Sequence, residues 1–282
     1  MEENNNIDII KHSGEKAVFD VDKLRNALMR SGASSVDIEH IISIILTRIY
    51  NGITTRKIYQ MAYALLKKKS HNVAGRYRLK KAVLDLGPSG YPFEKFVGRL
   101  LAFKGYDVEV SKIIQGKCVT HEVDVIAKKD EEHIYIECKF HKDRKKNDVK
   151  IPMYIKSRFD DIRNQLGSLE ENKNVKINGM LITNTRFTTD AQDFGKCSGL
   201  TLIGWDYPLH NNLRDWIDQA GFHPITSLSS ITKKTTQALL ERNVILCSEI
   251  EQNKDVLASL GLKANQIRKV IKEANEVMKY ER

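Results

Sequence analysis

The chain runs to 282 residues, long enough for two or three compact domains that each bury a core of their own. A formal net charge of +10 favours a polyanionic partner, because phosphates attract clustered Lys and Arg and release counterions on binding. Four scattered cysteines (Cys118, Cys138, Cys197, Cys247) exclude a disulfide framework and a zinc motif and suit a reducing cytoplasm; the polar start MEENNNIDII is no secretion signal, and the apolar run IISIIL at 41–46 is too short to span a bilayer.

Residues 7–19, IDIIKHSGEKAVF, alternate as a short hairpin with Ser13-Gly14 at the turn. Helical spacing follows in DVDKLRNALMRSG, with Asp20 as N-cap, Leu24, Ala27 and Leu28 on one face and Gly32 as the stop. Two further helices are expected, SVDIEHIISIILTRIYNG and TTRKIYQMAYALLKKKS, the second starting at Thr55. LGPSGYP at 86–92 concentrates Gly, Pro and Ser and marks a domain boundary.

Beyond it the pattern changes to a helix (FEKFVGRLLAFKG), several short β-rich runs, a helix (IKSRFDDIRNQLG), a strand (INGMLITN), a short helix and a last strand (LTLIGW). Strands alternating with helices predict a layered α/β domain with a mixed or largely parallel sheet. From about His223-Pro224 the chain reads as helices again: ITKKTTQALLERN, CSEIEQNKDVLASLG and ANQIRKVIKEANEVMKY. No internal repeat or low-complexity stretch stands out. The divisions expected are 1–86, 87–222 and 223–282.

Two apolar runs, EVDVIA and IYIECKF, are interrupted by charge. Side chains two apart on a strand share a face, so Tyr135, Glu137 and Lys139 lie together, while Asp124 points opposite to Val123 and Val125. If the strands pair through the turn at 128–132, two carboxylates and an ammonium converge, a set suited to a hard divalent cation and a phosphate. Glu94 on the preceding helix could complete the acidic cluster. The residues alone leave open an ordinary edge strand carrying solvent-facing charges. The loop HKDRKKNDVK at 141–150 is equally readable as a solvated loop or as a track for a DNA backbone.

From Tyr91 to about Leu209 the chain resembles the Mrr-type branch of the PD-(D/E)XK restriction endonuclease superfamily, in YPFEKFVGRLLAFKGYDVEV, HEVDVIA, IYIECKF, DIRNQLG and GMLITNTRFTTDAQDFGKCSGLTLIGWD. The resemblance implies that Asp124 and Glu137 bind metal, Mg²⁺ with Mn²⁺ as a substitute, and that Lys139 is the catalytic lysine. It also places Glu94 at the family's helical acidic position, Gln165 at its helical glutamine, and gives Thr188 a structural or DNA-facing role. His121-Glu122 departs from the Asp or Gly common ahead of the metal-binding Asp, which leaves His121 as a strand-end residue or an assistant at the phosphate.

Residues 7–83 resemble an ATP-cone, the nucleotide-binding regulatory domain of ribonucleotide reductases and their transcriptional regulator, in IIKHSGEKAVFDVDKLRNAL, ITTRKIYQMAYALLKK and VAGRYRLKKAV. The phosphate-contacting positions implied are Lys11, His12 and Lys23, with ATP or dATP as regulatory ligand. His12 stands where an arginine is usual, and a neutral imidazole does not replace a bidentate guanidinium. No GxxxxGK[ST] loop is present, so the cone is expected to sense nucleotide rather than hydrolyse it. ITSLSSITKKTTQALLERNVILCSEI loosely resembles a helix-hairpin-helix module, but Ser230 and Thr232 replace its glycines, which favours protein packing over DNA contact.

The fold expected is therefore α/β: a restriction-endonuclease-like central mixed sheet flanked by helices, behind a small helical cone and ahead of a helical tail. The function expected is a Mg²⁺-dependent endonuclease on double-stranded DNA, a homo-oligomer regulated by nucleotide, serving restriction or defence. The alternatives are a non-cleaving nucleotide-regulated DNA-binding protein and a Holliday-junction-resolvase-like nuclease.

Overall fold

The structure is a computed structural model that describes residues 7–11, 13–143 and 145–278; the predicted phosphate contact His12 lies outside the described residues. The chain opens with the expected hairpin, β1 (Asp8–Ile10) against β2 (Lys16–Val18), in which Asp8 pairs with Val18. Gly14 makes the turn in the left-handed region, φ 85°, where a side chain would be strained. Next come α1 (Val21–Arg30), α2 (Ser35–Leu46), β3 (Ile53–Thr54), α3 (Thr55–Lys69) and α4 (His71–Tyr77). The Asp20 carboxylate accepts from the amides of Asp22 and Lys23, as its capping role requires. α3 starts at Thr55 as expected; its cap is Thr54, which keeps the extended backbone a cap needs and accepts from the Lys57 amide. Leu28, Ile41 and Ile45 are fully buried at the centre of this lobe.

After α5 (Leu79–Leu84) and α6 (Tyr91–Phe103), β4 (Asp107–Gln115), β5 (Thr120–Lys129) and β6 (Glu132–Lys139) form an antiparallel meander. α7 (Lys150–Leu166) crosses over to β7 (Lys176–Thr183), and α8 (Thr189–Ser198) crosses to β8 (Thr201–Ile203); both added strands run parallel. The sheet order is β4-β5-β6-β7-β8, the mixed sheet expected from the alternating pattern. β6 is thus the central strand, so Glu137 and Lys139 are not edge charges.

The faces of the sheet bury against different partners. One face packs Val125, Ile136 and Ile182 against Phe93, Phe96 and Leu100 of α6. The other packs Ile126, Tyr135 and Leu181 against Ile155, Phe159 and Ile162 of α7. α7 comes so close to β7 that a Cβ on Gly179 would lie 2.6 Å from Phe159 Cδ2, which only glycine permits.

The chain ends with α9 (Leu213–Ala220), α10 (Lys233–Glu241), α11 (Lys254–Ser259) and α12 (Ala264–Met278). These helices share the core of the α6 face, where Leu239, Val244, Ile250, Leu257 and Val270 join Leu79, Val83 and Leu86, so by packing the last segment is continuous with the sheet lobe. CSEIEQNKDVLASLG is not the single helix its spacing predicts. The Glu249 carboxylate accepts from the amides of Ile245 and Leu246 and fixes a 3-10 turn at Cys247–Glu249 ahead of α11. A matching turn at Ile225–Ser227 precedes α10, and the two are stitched by Ile225 N–H to Ile245 O and Cys247 N–H to His223 O. Among the described residues no helix is long and apolar enough to cross a membrane.

Glu273 of α12 is nearly inaccessible, at 7% exposure, and its carboxylate accepts from the Ser229 amide, the Ser229 hydroxyl and the Ser230 amide. Glu273→Ala strands two half-buried amides and is expected to lower unfolding free energy by about 2 kcal/mol, measured by equilibrium urea unfolding. A loss under about 0.5 kcal/mol would show that water replaces the carboxylate.

Candidate active site

The predicted site residues gather where the sheet comes apart. β5 pairs with β6 as far as Val125 opposite Ile136, and there the ladder stops. One residue further on, Asp124 accepts a 2.7 Å hydrogen bond from the Cys138 amide through Oδ2, so a side chain takes the donor that the ladder abandons. On the other side of β5 the ladder joins Val110 to Val125 and Lys112 to Val123, passing over Ser111 and Asp124. Ser111 has φ 54°, a left-handed backbone uncommon outside glycine, asparagine and aspartate. Strict alternation, which predicts Val123 and Val125 on one face, fails here: Val123 joins the α7-side core and Val125 the α6-side core. Such local breaks re-aim side chains.

Glu137 follows Ile136 on the central strand, and its Oε2 accepts from Arg158 Nη1 of α7 at 2.6 Å. The same guanidinium donates through Nη2 to the Glu122 carbonyl, which ties α7 to both strands of the break. Glu94, in the first turn of α6, accepts from the Ser111 hydroxyl at 3.4 Å. Lys139 shares the strand face of Glu137, and its carbonyl accepts from the Thr183 hydroxyl at 2.7 Å. Its ammonium makes no hydrogen bond or ion pair among the described residues.

The electrostatics say what is missing. Burial, then the charge of Glu137, and then Glu94 push Asp124 up to about 7 despite the Cys138 amide and Arg158. Burial and the charges of Glu122 and Glu137 likewise raise Glu94, against the Ser111 hydroxyl. Burial, followed by Asp124, Glu94 and Glu137, pushes the Cys138 thiol well up, so it is inert as a nucleophile. Asp124 and Glu94 are each raised by burial and by the acids beside them, and the donors are hard oxygens, so a divalent cation of the Mg²⁺ class fits this chemistry. Among the described residues no three His, Cys, Asp or Glu side chains stand together as a closed metal centre. The protein would supply two carboxylates and leave the other positions to water and substrate.

Other expected residues fall elsewhere. Gln165 lies seven residues beyond Arg158 on the same face of α7, about 10 Å further along the axis, and its side chain reaches none of the carboxylates. His121 Nε2 is held 2.8 Å from Asp161, whose other bonds run to the amides of Cys118 and Val119. The bond from His121 in particular holds Asp161 down to about 2, so this pair pins the β4–β5 turn to α7. Thr188 caps α8 by accepting from the Ala191 amide, a structural role. Arg158 and Asp161 escaped the sequence reading, although their i, i+3, i+7 spacing with Gln165 on one helical face was the available signal.

A second site lies in the cone. Lys11 pairs with Glu15 and Lys23 with Asp20, each at 3.0 Å, at the rim of an apolar cavity of about 250 Å³. Its wall includes Ile9, Phe19 and Ile58, with the rings of Tyr59 and Tyr77 stacked at 5.0 Å and 14°.

Comparison with known proteins finds three family matches along the chain. Residues 7–82 match the ATP cone domain, 87–207 a restriction endonuclease domain and 223–278 the AF1548-like C-terminal domain. An uncharacterized protein of Archaeoglobus fulgidus is 32% identical over 183 residues, which is 64% of this chain and 99% of that protein. The crystal structure of AF1548, a protein of unknown function, superposes with a TM-score of 0.56 at 31% identity over 67% of this chain and 98% of that one.

Asp124 has a folded-state value above the ordinary carboxylate range of about 4, so the folded chain holds this proton more tightly than the unfolded chain. That contribution to stability is complete below about pH 4 and is lost as the pH rises through about 7. Without divalent ions, Asp124→Asn is therefore expected to raise the thermal midpoint at pH 8 and to leave it nearly unchanged at pH 4. Equal shifts at the two pH values would contradict the buried charge.

Proposed function

The chain belongs to the AF1548-like family, and from that premise, with its restriction endonuclease domain and its ATP cone, we propose that it is a Mg²⁺-dependent endonuclease on double-stranded DNA. It works in the cytoplasm in restriction or defence against foreign DNA, with activity or assembly governed by ATP or dATP at the cone. The observation that carries this reading is the meeting of Asp124 and Glu137 at the break between β5 and β6, with too little positive charge to balance them.

Asp124 and Glu137 would hold the ion, and Mn²⁺ would substitute. When bound, such an ion would polarise the phosphodiester and make a bound water more acidic. The Cys138 amide holds Asp124 by one oxygen, and the other makes no hydrogen bond among the described residues and would be available to the ion. Arg158 orients Glu137 and lends a positive charge beside the phosphate. Lys139 has a free ammonium on the Glu137 face; it positions the attacking water and offsets the charge that builds on the phosphorus oxygens. Glu94 acts from the outer layer, as a carboxylate that takes up a proton easily.

Each site cuts one strand, so cleavage of a duplex requires a dimer or a higher homo-oligomer. In the cone, the stacked tyrosines suit the flat face of a base, while Lys11 and Lys23 at the rim suit phosphates.

Glu137→Ala and Lys139→Ala are each expected to slow plasmid cleavage in Mg²⁺ by about a hundredfold or more, while DNA affinity in a mobility-shift assay with EDTA stays near wild type. Cleavage by either variant at the wild-type rate, or by the wild type in EDTA, would refute the assignment. Modified and unmodified plasmids run in parallel would define the substrate.

A further inference from the structure

The cone and the sheet lobe face each other across a cleft of about 860 Å³, open to solvent and lined by residues of both. From the cone side come Lys11, Lys23 and Lys80; from the sheet lobe come Lys145, Lys146 and Arg186. Among the described residues Glu15 and Asp143 also line it, and Asp20 and Asp206 pair with Lys23 and Arg186 from beside it, so the cations keep an excess of 6 − 4 = +2. Lys11 and Lys23 also stand at the rim of the apolar cavity with the stacked tyrosines, so cavity and cleft are continuous through two lysines.

The cations are available in different degrees. The Lys11–Glu15 and Lys23–Asp20 pairs are exposed, with 84% of the Lys23 side chain open to water, and exposed pairs exchange readily for a better anion. Lys145 and Lys146 are exposed and their ammonium groups make no hydrogen bond or ion pair among the described residues. Arg186 is already committed to Asp206, and Lys80 stands over the Trp205 ring at 5.2 Å. The recruitable charges on the sheet side are therefore Lys145 and Lys146.

These two lysines sit on a short arch with fixed ends. At one end the His141 amide donates to Asn184 Oδ1 at 2.9 Å and Asn184 Nδ2 returns a bond to the His141 carbonyl at 2.8 Å. At the other, Asn147 is 1% exposed; its amide donates to the Arg186 carbonyl and its Nδ2 to the Thr183 hydroxyl at 3.0 Å. The same Thr183 hydroxyl donates to the carbonyl of Lys139. A load on Lys146 thus passes through Asn147 and Thr183, both buried and hydrogen-bonded, to the backbone of the proposed catalytic lysine.

We propose that this cleft is a polyphosphate site shared by the two lobes: a nucleotide whose base enters the tyrosine cavity extends its β- and γ-phosphates to Lys145 and Lys146, and so clamps the arch that leads to Lys139. The inference rests on the reading of the cone as a nucleotide site. It adds that the regulator touches the nuclease lobe directly and that the number of phosphates decides how strongly. By linkage, occupancy of the active site and occupancy of the cleft alter each other's affinity by the same factor.

The test is calorimetric binding of ATP, AMP and inorganic tripolyphosphate to the full chain as wild type, as the double variant Lys145→Ala/Lys146→Ala and as Lys23→Ala, with thermal melts confirming folding. The double variant is expected to bind ATP about tenfold more weakly and AMP as the wild type does, since two charge-assisted contacts to the outer phosphates are lost. Tripolyphosphate is expected to displace ATP from the wild type. Unchanged ATP affinity in the double variant, with loss in Lys23→Ala, would overturn the shared site and leave a nucleotide held by the cone alone. Tripolyphosphate binding that needs Lys145 and Lys146, without nucleotide binding, would overturn the cone reading and keep the cleft as a polyphosphate site. Displacement of ATP by a DNA duplex but not by tripolyphosphate would assign the cleft to nucleic acid and refute the proposal.

Discussion

A single hydrogen bond, from the Cys138 amide to the Asp124 carboxylate, marks the place where the central sheet gives up regular pairing. Had β5 and β6 stayed zipped for two residues more, the Cys138 amide would have lain opposite Val123 and the two acidic side chains would have stood in the ordinary relation of a cross-strand pair. Because the strands part there, an acidic side chain takes over a backbone function, and Glu137 on the next turn of the pleat is free to meet α7. Ser111, in its left-handed backbone beside the same point, belongs to the same distortion of the meander. Every proposed chemical role in the nuclease lobe depends on this gap.

Placing the gap at mid-sheet has an electrostatic cost. The surroundings are apolar enough to disfavour carboxylate charge at Asp124, where Arg158 gives the countercharge. A fold selected for stability alone would have filled the position with a neutral residue. Retaining acids that burden one another makes sense where a cation is meant to arrive, since the free energy withheld from the empty state is returned as affinity for the ion. The His121–Asp161 pair does a different job, holding the turn between β4 and β5 against α7 so that the acidic strand ends do not drift apart.

The remaining architecture brings the cone to this centre from one side. α5 leaves the core of the cone and contributes Leu79 and Val83 to the core of the sheet lobe, and the C-terminal helices bury themselves in that same core. The cone is consequently seated on the sheet lobe, with Lys11 and Lys23 opposite the arch that follows β6. The arch is pinned by the buried side chains of Asn147, Thr183 and Asn184, an arrangement suited to transmitting a displacement and poorly suited to absorbing one.

Much of this was legible along the chain. The hairpin with Gly14, the Asp20 cap, the change from helical to alternating periodicity after residue 86 and the acidic interruptions at Asp124 and Glu137 are local signals, carried by residues within a few positions of each other, and such signals survive without knowledge of the fold. What the sequence could not reveal depends on contacts between residues far apart in the chain. Arg158 reaches Glu137 across 21 positions and Asp161 reaches His121 across 40, so neither could be told from the other polar residues of an amphipathic helix. Gln165 lies on the correct face of that helix but two turns away, because spacing fixes a direction around an axis and not a position along it. The residue types and their periodicity determined which chemistry was available; the parting of two strands, the depth of α7 and the seating of the cone decided where it assembled, since these follow from packing summed over the whole chain.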